Sequence, residues 1–277
     1  MNPRVAVLTI LICAASGRAQ LSIRPSEAPF VDIRTTGTPI TPVTDDSEAV
    51  LNGITLAIAG WSGNSVFAGA ANVLVGNNGG IIWNPISGSA DQVGFNNGLI
   101  AGTPSNSTQA GNGNGVRQFL AVLWDDHLPS TVQPVTELDW RVINGDLVVQ
   151  WSFQDNFDAI GPGRITFQAR FYSALNEANS GGVAASYIYN DTLYAPGQTG
   201  FNDGASATIG YNGNGIGLGS NAVQYSLNTP AVSGYDEAKN SALPSALDLV
   251  VPAPGVTTLL GVAAAVGLGR RRRNRNE

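Results

Sequence analysis

Cysteine and histidine each occur only once in this chain of 277 residues. The cysteine, Cys13, lies in an N-terminal apolar segment that we expect to be removed on export. A mature chain without thiols excludes disulfide bonds and every metal site built on thiolate ligands. Packing and hydrogen bonds must therefore hold the fold together.

Basic residues are scarce in the central part of the chain. Between Gln20 and Val251 there are 7 Lys and Arg residues against 19 Asp and Glu residues, which leaves a net charge of about −12. Such an acidic domain repels the phosphates of nucleic acids, so nucleic acid is excluded as a partner. The charged partners that we expect for it are cations.

Strong helix formers are few, since charged residues make up only 12% of the chain. Glycine is abundant, with 34 residues, and asparagine often stands beside it. Gly/Asn-rich punctuation between β-branched and aromatic runs is typical of strands joined by turns. We therefore predict an all-β fold, an antiparallel β-sandwich-like domain with long Gly/Asn-rich loops such as residues 84–115.

The clearest local prediction is a β-hairpin around Asn144-Gly145. The flanking runs Leu138–Ile143 and Asp146–Phe153 favour a two-residue type I′ turn between them. Such a turn places three residue pairs on one face of the hairpin. The pairs are Val142 with Leu147, Trp140 with Val149, and Leu138 with Trp151. We expect the two tryptophans to belong to the core rather than to a ligand platform.

Further period-2 runs predict additional strands, each bounded by turn residues. They are Ile54–Ala59, Asn72–Val75, Gly80–Trp83, Arg117–Trp124, Arg164–Tyr172, Ala184–Tyr189, Ala205–Tyr211 and Ala222–Leu227. The runs on either side of Gly76-Asn77-Asn78-Gly79 predict a second hairpin. A short helix is expected over Tyr235–Leu243, where Pro244 limits it.

The chain divides into four predicted parts. Residues 1–19 have the order of a secretory signal peptide, with Arg4, an apolar run and a Gly17-Arg18-Ala19 cleavage site before Gln20. Residues 20–53 are predicted to form an extended, proline-rich entry segment with one edge strand, and residues 54–250 to form the β domain. Residues 251–277 combine a short motif, a hydrophobic helix over 256–269 and a basic stop.

This tail resembles the PEP-CTERM sorting signal of bacterial envelope proteins. The matching residues are Val251, Pro252, Ala253, Pro254 and Gly255, followed by the hydrophobic segment and by Arg270, Arg271, Arg272 and Arg273. The resemblance implies processing by an exosortase-like enzyme and display at the cell surface. Ala253 departs from the family, which usually has glutamate there. At 14 residues the hydrophobic helix is short for a membrane core of about 30 Å, and this length favours a transient anchor over a permanent span. The four arginines that follow it predict a cytoplasmic C-terminus.

Blocks in the central domain resemble those of nidogen-type (NIDO) extracellular domains. They are Phe119–Asp126, Ile165–Gln168 and Gly204–Gly210. This resemblance spans less than half of the chain. It implies a β-rich extracellular module with adhesion or matrix association, and it provides no catalytic residues.

Asp125 and Asp126 are the candidate metal ligands, because they follow the strand that ends at Trp124. Carboxylates and loop carbonyls are hard oxygen ligands that suit calcium in extracellular modules. The alternative is that the two aspartates cap a turn. The acidic run Asp45-Asp46-Ser47-Glu48 has the same two interpretations, a solvated turn or part of a cation site.

Enzymatic alternatives depend on few residues. A hydrolase triad would have to use His127, and no nucleophile elbow accompanies it. Asp125, Asp126, Glu137 and Asp158 are candidate glycosidase carboxylates by residue type alone. We therefore predict a non-enzymatic, surface-sorted structural or adhesive protein that contacts extracellular polysaccharide. A secreted polysaccharide or ester hydrolase and a calcium-stabilised carbohydrate-binding module are the alternatives.

Overall fold

The fold is antiparallel and almost entirely β in the computed structural model. The structure describes residues 21–41, 43–51, 73–83, 118–132, 134–158, 163–194, 198–212, 222–235 and 242–251. Residues 21–253 form one compact unit. The predictions for residues 1–20, for the strand Ile54–Ala59 and for residues 252–277 lie outside the described residues, as does most of the helix predicted over Tyr235–Leu243.

The larger of two sheets has eight strands. Seven of them follow the order β1-β14-β11-β10-β9-β8-β2, and β7 pairs with β9 beyond the end of β8. Their bounds are β1 Ser22–Pro25, β2 Thr38–Pro39, β7 His127–Pro129, β8 Glu137–Ile143, β9 Asp146–Asn156, β10 Ile165–Phe171, β11 Val183–Asp191 and β14 Ala246–Val250.

The smaller sheet has six strands in the order β13-β12-β6-β5-β4-β3. Their bounds are β3 Glu48–Val50, β4 Val73–Gly76, β5 Gly80–Trp83, β6 Gln118–Trp124, β12 Thr208–Asn212 and β13 Ala222–Leu227. The entry segment therefore contributes β1, β2 and β3 to the two sheets. Two short helical turns complete the described elements, α1 at Ala174–Asn179 and a 3-10 turn at Asn202–Gly204.

The hairpin around Asn144-Gly145 has the predicted register. Val142 pairs with Leu147, Trp140 with Val149, and Leu138 with Trp151. Asn144 and Gly145 both have positive φ, at 52° and 88°, as a type I′ turn requires. The second hairpin also forms, with β4 and β5 on either side of the Gly76–Gly79 turn.

Aromatic side chains from both sheets fill one core. Trp151 stacks on Phe167 with ring centres 4.9 Å apart, and Trp83 meets Phe171 edge-on at 5.0 Å. All four side chains are buried, as expected for the aromatic runs of a two-layer β fold. The face of the larger sheet that carries Trp151 and Phe167 therefore packs against the smaller sheet.

Buried hydrogen bonds join the two sheets across this core. The Tyr187 hydroxyl donates to the Gly210 carbonyl at 2.9 Å, and the Tyr189 hydroxyl donates to the Val122 carbonyl at 2.8 Å. The Trp151 indole donates to the Gly76 carbonyl at 2.9 Å. These bonds satisfy polar groups that would otherwise be costly to bury, and they fix how the sheets are placed against each other.

Candidate functional site

The Trp-Asp-Asp-His run lies where the chain passes from the smaller sheet to the larger one. Trp124 ends β6, and His127 begins β7. The Asn77-Asn78 turn between β4 and β5 holds this crossing through three hydrogen bonds. The Asn77 amide donates to the His127 carbonyl at 2.7 Å, the Asp125 N–H donates to the Asn78 carbonyl at 3.2 Å, and the Asn78 side-chain oxygen accepts from the His127 N–H at 3.0 Å.

His127 is fully buried, and both of its ring nitrogens are occupied. Nε2 lies 2.7 Å from the Leu123 carbonyl oxygen, which can only accept, so Nε2 carries the hydrogen. Nδ1 lies 2.9 Å from the Tyr194 hydroxyl and therefore accepts from it. Burial lowers the pKa of His127, although the Asp125 charge opposes this shift.

Tyr194 remains protonated at physiological pH. Its burial, followed by the nearby Asp125 charge, raises its pKa well above the usual range. Both ring nitrogens of this buried imidazole are engaged by protein groups. In this arrangement His127 joins the crossing between the sheets to the loop that contains Tyr194.

Asp125 is also turned inward, with 4% of its surface exposed. One carboxylate oxygen accepts from the Asp126 N–H at 2.9 Å. The other accepts from the Asn156 amide at 3.1 Å and from the Ser206 hydroxyl. Protein donors therefore satisfy both oxygens of this carboxylate.

Asp126 has a different neighbourhood from Asp125. Its carboxylate lies with those of Asp45 and Asp46, and one oxygen of each is within 4.8 Å of the others. Asp45 and Asp46 are exposed, and Asp46 also accepts from the Asn78 amide at 3.0 Å. The fold thus brings together the two acidic runs that the sequence offered as separate cation candidates. Oxygen ligands in this arrangement suit a hard cation such as calcium.

The other carboxylates considered for hydrolysis are dispersed along β8 and β9. Glu137 begins β8 opposite Ser152 of β9, and its side chain is exposed. Asp158 follows the end of β9, and its N–H donates to the Asn156 side chain at 2.9 Å. Neither belongs to the carboxylate cluster found among the described residues.

A groove lies at the edge of the smaller sheet, between β13 and the segment that leads into β14. Its volume is about 630 Å³, and its described lining contains no charged side chain. The lining comprises Gln224–Leu227, Thr229–Ala231 and Ala242–Pro244. A second groove of about 380 Å³ shares the Ala242–Pro244 wall and is bounded by Pro25–Glu27 and Tyr235 on its other side.

Ser226 is the unusual residue in the larger groove. It is 9% exposed, and its buried hydroxyl oxygen has no hydrogen-bond partner in the structure. Buried hydroxyls are normally paired, because an unpaired one loses its hydration without compensation. Tyr225, beside it, is half-buried and packs against the core. The described lining of the groove therefore combines polar residues and one aromatic residue without a charged side chain.

Sequence reasoning did not find the partners of the crossing. Tyr194 is 67 positions from His127, and Asn156 is 31 positions from Asp125. The sequence around Asn77 and Asn78 predicted only a turn. Ser226 lies in a run that predicted a strand, and nothing in that run distinguishes it. No local feature of the sequence connects these residues, since only the packing of the two sheets brings them together.

Among the described residues, no helix is long and apolar enough to cross a membrane. Of the sorting motif, only Val251 is described, and its N–H donates to the Gly182 carbonyl at 2.8 Å. Pro252, Ala253, Pro254, Gly255 and Arg270–Arg273 lie outside the described residues. Comparison with known proteins finds no matching family model, no matching curated protein and no matching solved structure.

Proposed function

We propose that this chain is an exported, surface-sorted structural or adhesive protein whose β domain binds neutral polysaccharide without turning it over. The observation that carries the proposal is the groove at the edge of the smaller sheet, whose described lining contains polar and aromatic residues and no charged side chain. The internal hydrogen bonds of His127 and Asp125 support it, because they commit the best catalytic candidates to holding the fold.

The groove chemistry favours a neutral sugar. Saccharide hydroxyls are both donors and acceptors, so they can pair with the polar groups of Gln224 and Thr229, which line the groove. The half-buried Tyr225 ring provides an apolar surface of the kind that lines ligand sites. An acidic polysaccharide would meet no basic group among the described lining residues while facing a strongly acidic domain.

Calorimetry can measure binding by the mature protein isolated from its host. The ligands to compare are uncharged and acidic polysaccharides. Gln224→Ala should weaken binding of the neutral ligand about tenfold, the loss of one net hydrogen bond from a partly buried residue of the groove.

Ser186→Ala provides the matched control, because the Ser186 hydroxyl donates to Asp248 at 2.6 Å on the larger sheet. This variant should lose stability and keep its affinity for the ligand. Equal binding of the neutral ligand by the parent and by Gln224→Ala would show that the ligand does not bind in the groove. Turnover of a glycoside or ester by the parent protein would overturn the non-enzymatic role.

Export and sorting account for the two ends of the chain. The signal peptide would direct the protein across the membrane, and an exosortase-like enzyme would act at Val251–Gly255 while 256–269 holds the chain in the membrane. Arg270–Arg273 would keep the C-terminus in the cytoplasm before processing. Mass spectrometry of the surface-bound protein should find an N-terminus near Gln20 and no peptide from the basic stop. A mature pool that retains Arg270–Arg273 would contradict sorting by cleavage.

Calcium stabilisation is the second candidate property, and the cluster of Asp45, Asp46 and Asp126 favours it. A cation there would bridge the segment before β3 and the crossing between β6 and β7. It would reduce the repulsion between three carboxylates and fasten the entry segment to the rest of the domain. The activity proposed for the groove does not depend on this site.

A further inference from the structure

A segment of the entry region lies across the outer face of the larger sheet, the face opposite the Trp151 core. We call residues 31–40 the strap. Two neighbouring glutamines of the sheet, Gln150 on β9 and Gln168 on β10, hold it. The Gln168 side chain accepts from the Val31 N–H at 3.3 Å and donates to the Val31 carbonyl at 2.5 Å. The Gln150 side chain accepts from the Ile33 N–H at 2.9 Å.

The C-terminal half of the strap is held less extensively. It forms β2, which pairs with β8 over two residues only, Thr38 opposite Trp140 and Pro39 opposite Asp139. Pro39 has no N–H to donate, which weakens the pairing at this edge. The Ile40 N–H then donates to the Leu138 carbonyl at 2.7 Å. Few hydrogen bonds join this half to the sheet, although Ile40 at its end is buried in the hydrophobic core.

Asp139 lies directly beneath this half of the strap. It is 3% exposed, and its buried Oδ2 atom has no hydrogen-bond partner. The strap passes so closely that a β-carbon added to Gly37 would lie 3.0 Å from the Asp139 β-carbon. On ionisation, the buried Oδ2 atom would share the negative charge without a hydrogen-bond donor, which is costly.

The charged groups that face Asp139 do not offset the cost of burying its negative charge. Glu137 on the same strand and Asp32 on the strap are both acidic. Arg34 is the cation nearby, and its guanidinium pairs with Asp32 at 2.5 to 2.9 Å. The Gln150 amide is also committed, because it donates to Asp32 at 3.0 Å and to Ser152 at 2.7 Å.

We propose that the strap is a pH-responsive element that lies closed over protonated Asp139 and opens when this carboxyl group ionises. Opening of the C-terminal half of the strap admits water to the carboxylate, while Asp32 remains in the half that Gln150 and Gln168 hold. The strap would respond to the pH around the cell surface, and its opening does not depend on ligand binding at the groove.

The direction of the effect follows from the environment of Asp139. Burial, and then the charges of Glu137 and Asp32, raise its pKa from 3.8 to about 6, and Arg34 opposes this only in part. The closed state therefore binds the proton more tightly than the open state does. Its extra stability is complete below pH 3.8 and is lost as the pH rises through about 6. If opening restores the ordinary pKa, the opening equilibrium rises by up to about 100-fold.

Hydrogen–deuterium exchange of residues 31–40 between pH 4.5 and 8 tests the proposal, with rates corrected for intrinsic exchange. Protection of the strap should fall with a midpoint near pH 6 in the parent protein. Asp139→Asn has the same shape and no charge, so its strap should stay protected throughout. Protection of the β10 amides should remain constant in both proteins.

A strap whose protection does not change between pH 5 and 7, or changes equally in Asp139→Asn, would overturn the proposal. Should Asp139→Asn not fold, NMR titration of the Asp139 carboxyl carbon in the parent protein decides the matter. An apparent pKa below 4.5 for Asp139 would then exclude the pH response of the strap. A pKa near 6 that coincides with the pH at which the strap amides lose protection would support it.

Discussion

The imidazole Nδ1 atom of His127 accepts a hydrogen bond from the Tyr194 hydroxyl at 2.9 Å, across 67 positions of sequence. The pair connects the start of β7 to the loop after β11, deep in the protein. Both side chains are buried, and each satisfies a polar group of the other. This relationship gives the only histidine a structural task that can be tested directly.

Tyr194→Phe should lower the free energy of unfolding by about 1–3 kcal/mol, because it leaves the buried Nδ1 atom without a donor. Tyr172→Phe is the matched control, since the Tyr172 hydroxyl contacts Ser186 at a half-buried position. It should cost about 0.5–1.5 kcal/mol. Urea denaturation provides the comparison, and an unchanged midpoint for Tyr194→Phe would contradict the assigned hydrogen bond.

Gly145→Ala should destabilise the protein by about 1–2 kcal/mol, because an L side chain is strained in the left-handed region. The φ of Gly145 is 88°, and an added β-carbon would make only ordinary contacts with Ser173 at 3.6 Å. Backbone strain is therefore the expected cause. Gly200→Ala meets open space and should change stability by less than about 0.5 kcal/mol. A similar loss of stability in both variants would show that strain at the Asn144-Gly145 turn does not cause the destabilisation.

Asp32 should stabilise the protein at neutral pH and lose this effect in acid. Its hydrogen bonds from Arg34 lower its pKa from 3.8 to about 2, more than its partial burial raises it. A depressed pKa gives stability that is complete above pH 3.8 and disappears as the pH falls towards 2. The difference in unfolding free energy between the parent and Asp32→Asn should therefore narrow over this range. A constant difference from pH 7 to pH 2 would exclude the ion pair as its source.

Calcium at 10 mM should raise the melting temperature by about 3–10 °C, given a dissociation constant of about 0.1–1 mM, typical of extracellular sites. The shift should disappear in Asp126→Asn, which removes a cluster carboxylate. Asp125→Asn is the informative control: it should lower the melting temperature without calcium and keep the shift, since Asp125 is bonded inside the protein. Scanning calorimetry distinguishes these outcomes. No shift in the parent protein would end the calcium hypothesis.

Local patterns determined much of the fold from the sequence. Asn144-Gly145 fixed both the turn and the register of the strands on either side, because a two-residue loop leaves one pairing that keeps the apolar residues on one face. Alternation predicted β10, β11, β12 and β13 within a few residues of their observed bounds. The entry segment shows the limit of this reasoning. Its many prolines predicted an extended passage with one edge strand, yet it provides three strands, β1, β2 and β3, since pairing at a sheet edge tolerates proline.

The sequence by itself determined the strand content, the acidic charge and the lack of thiol chemistry, because each depends on composition or on neighbours within a few residues. Only the tertiary structure decided what the singled-out side chains do. Asp125 and Asp126 are adjacent in sequence, yet one faces inward to Asn156 and the other joins Asp45 and Asp46. Alternate residues of an extended chain point in opposite directions, and which direction is the interior depends on how two sheets from distant segments pack.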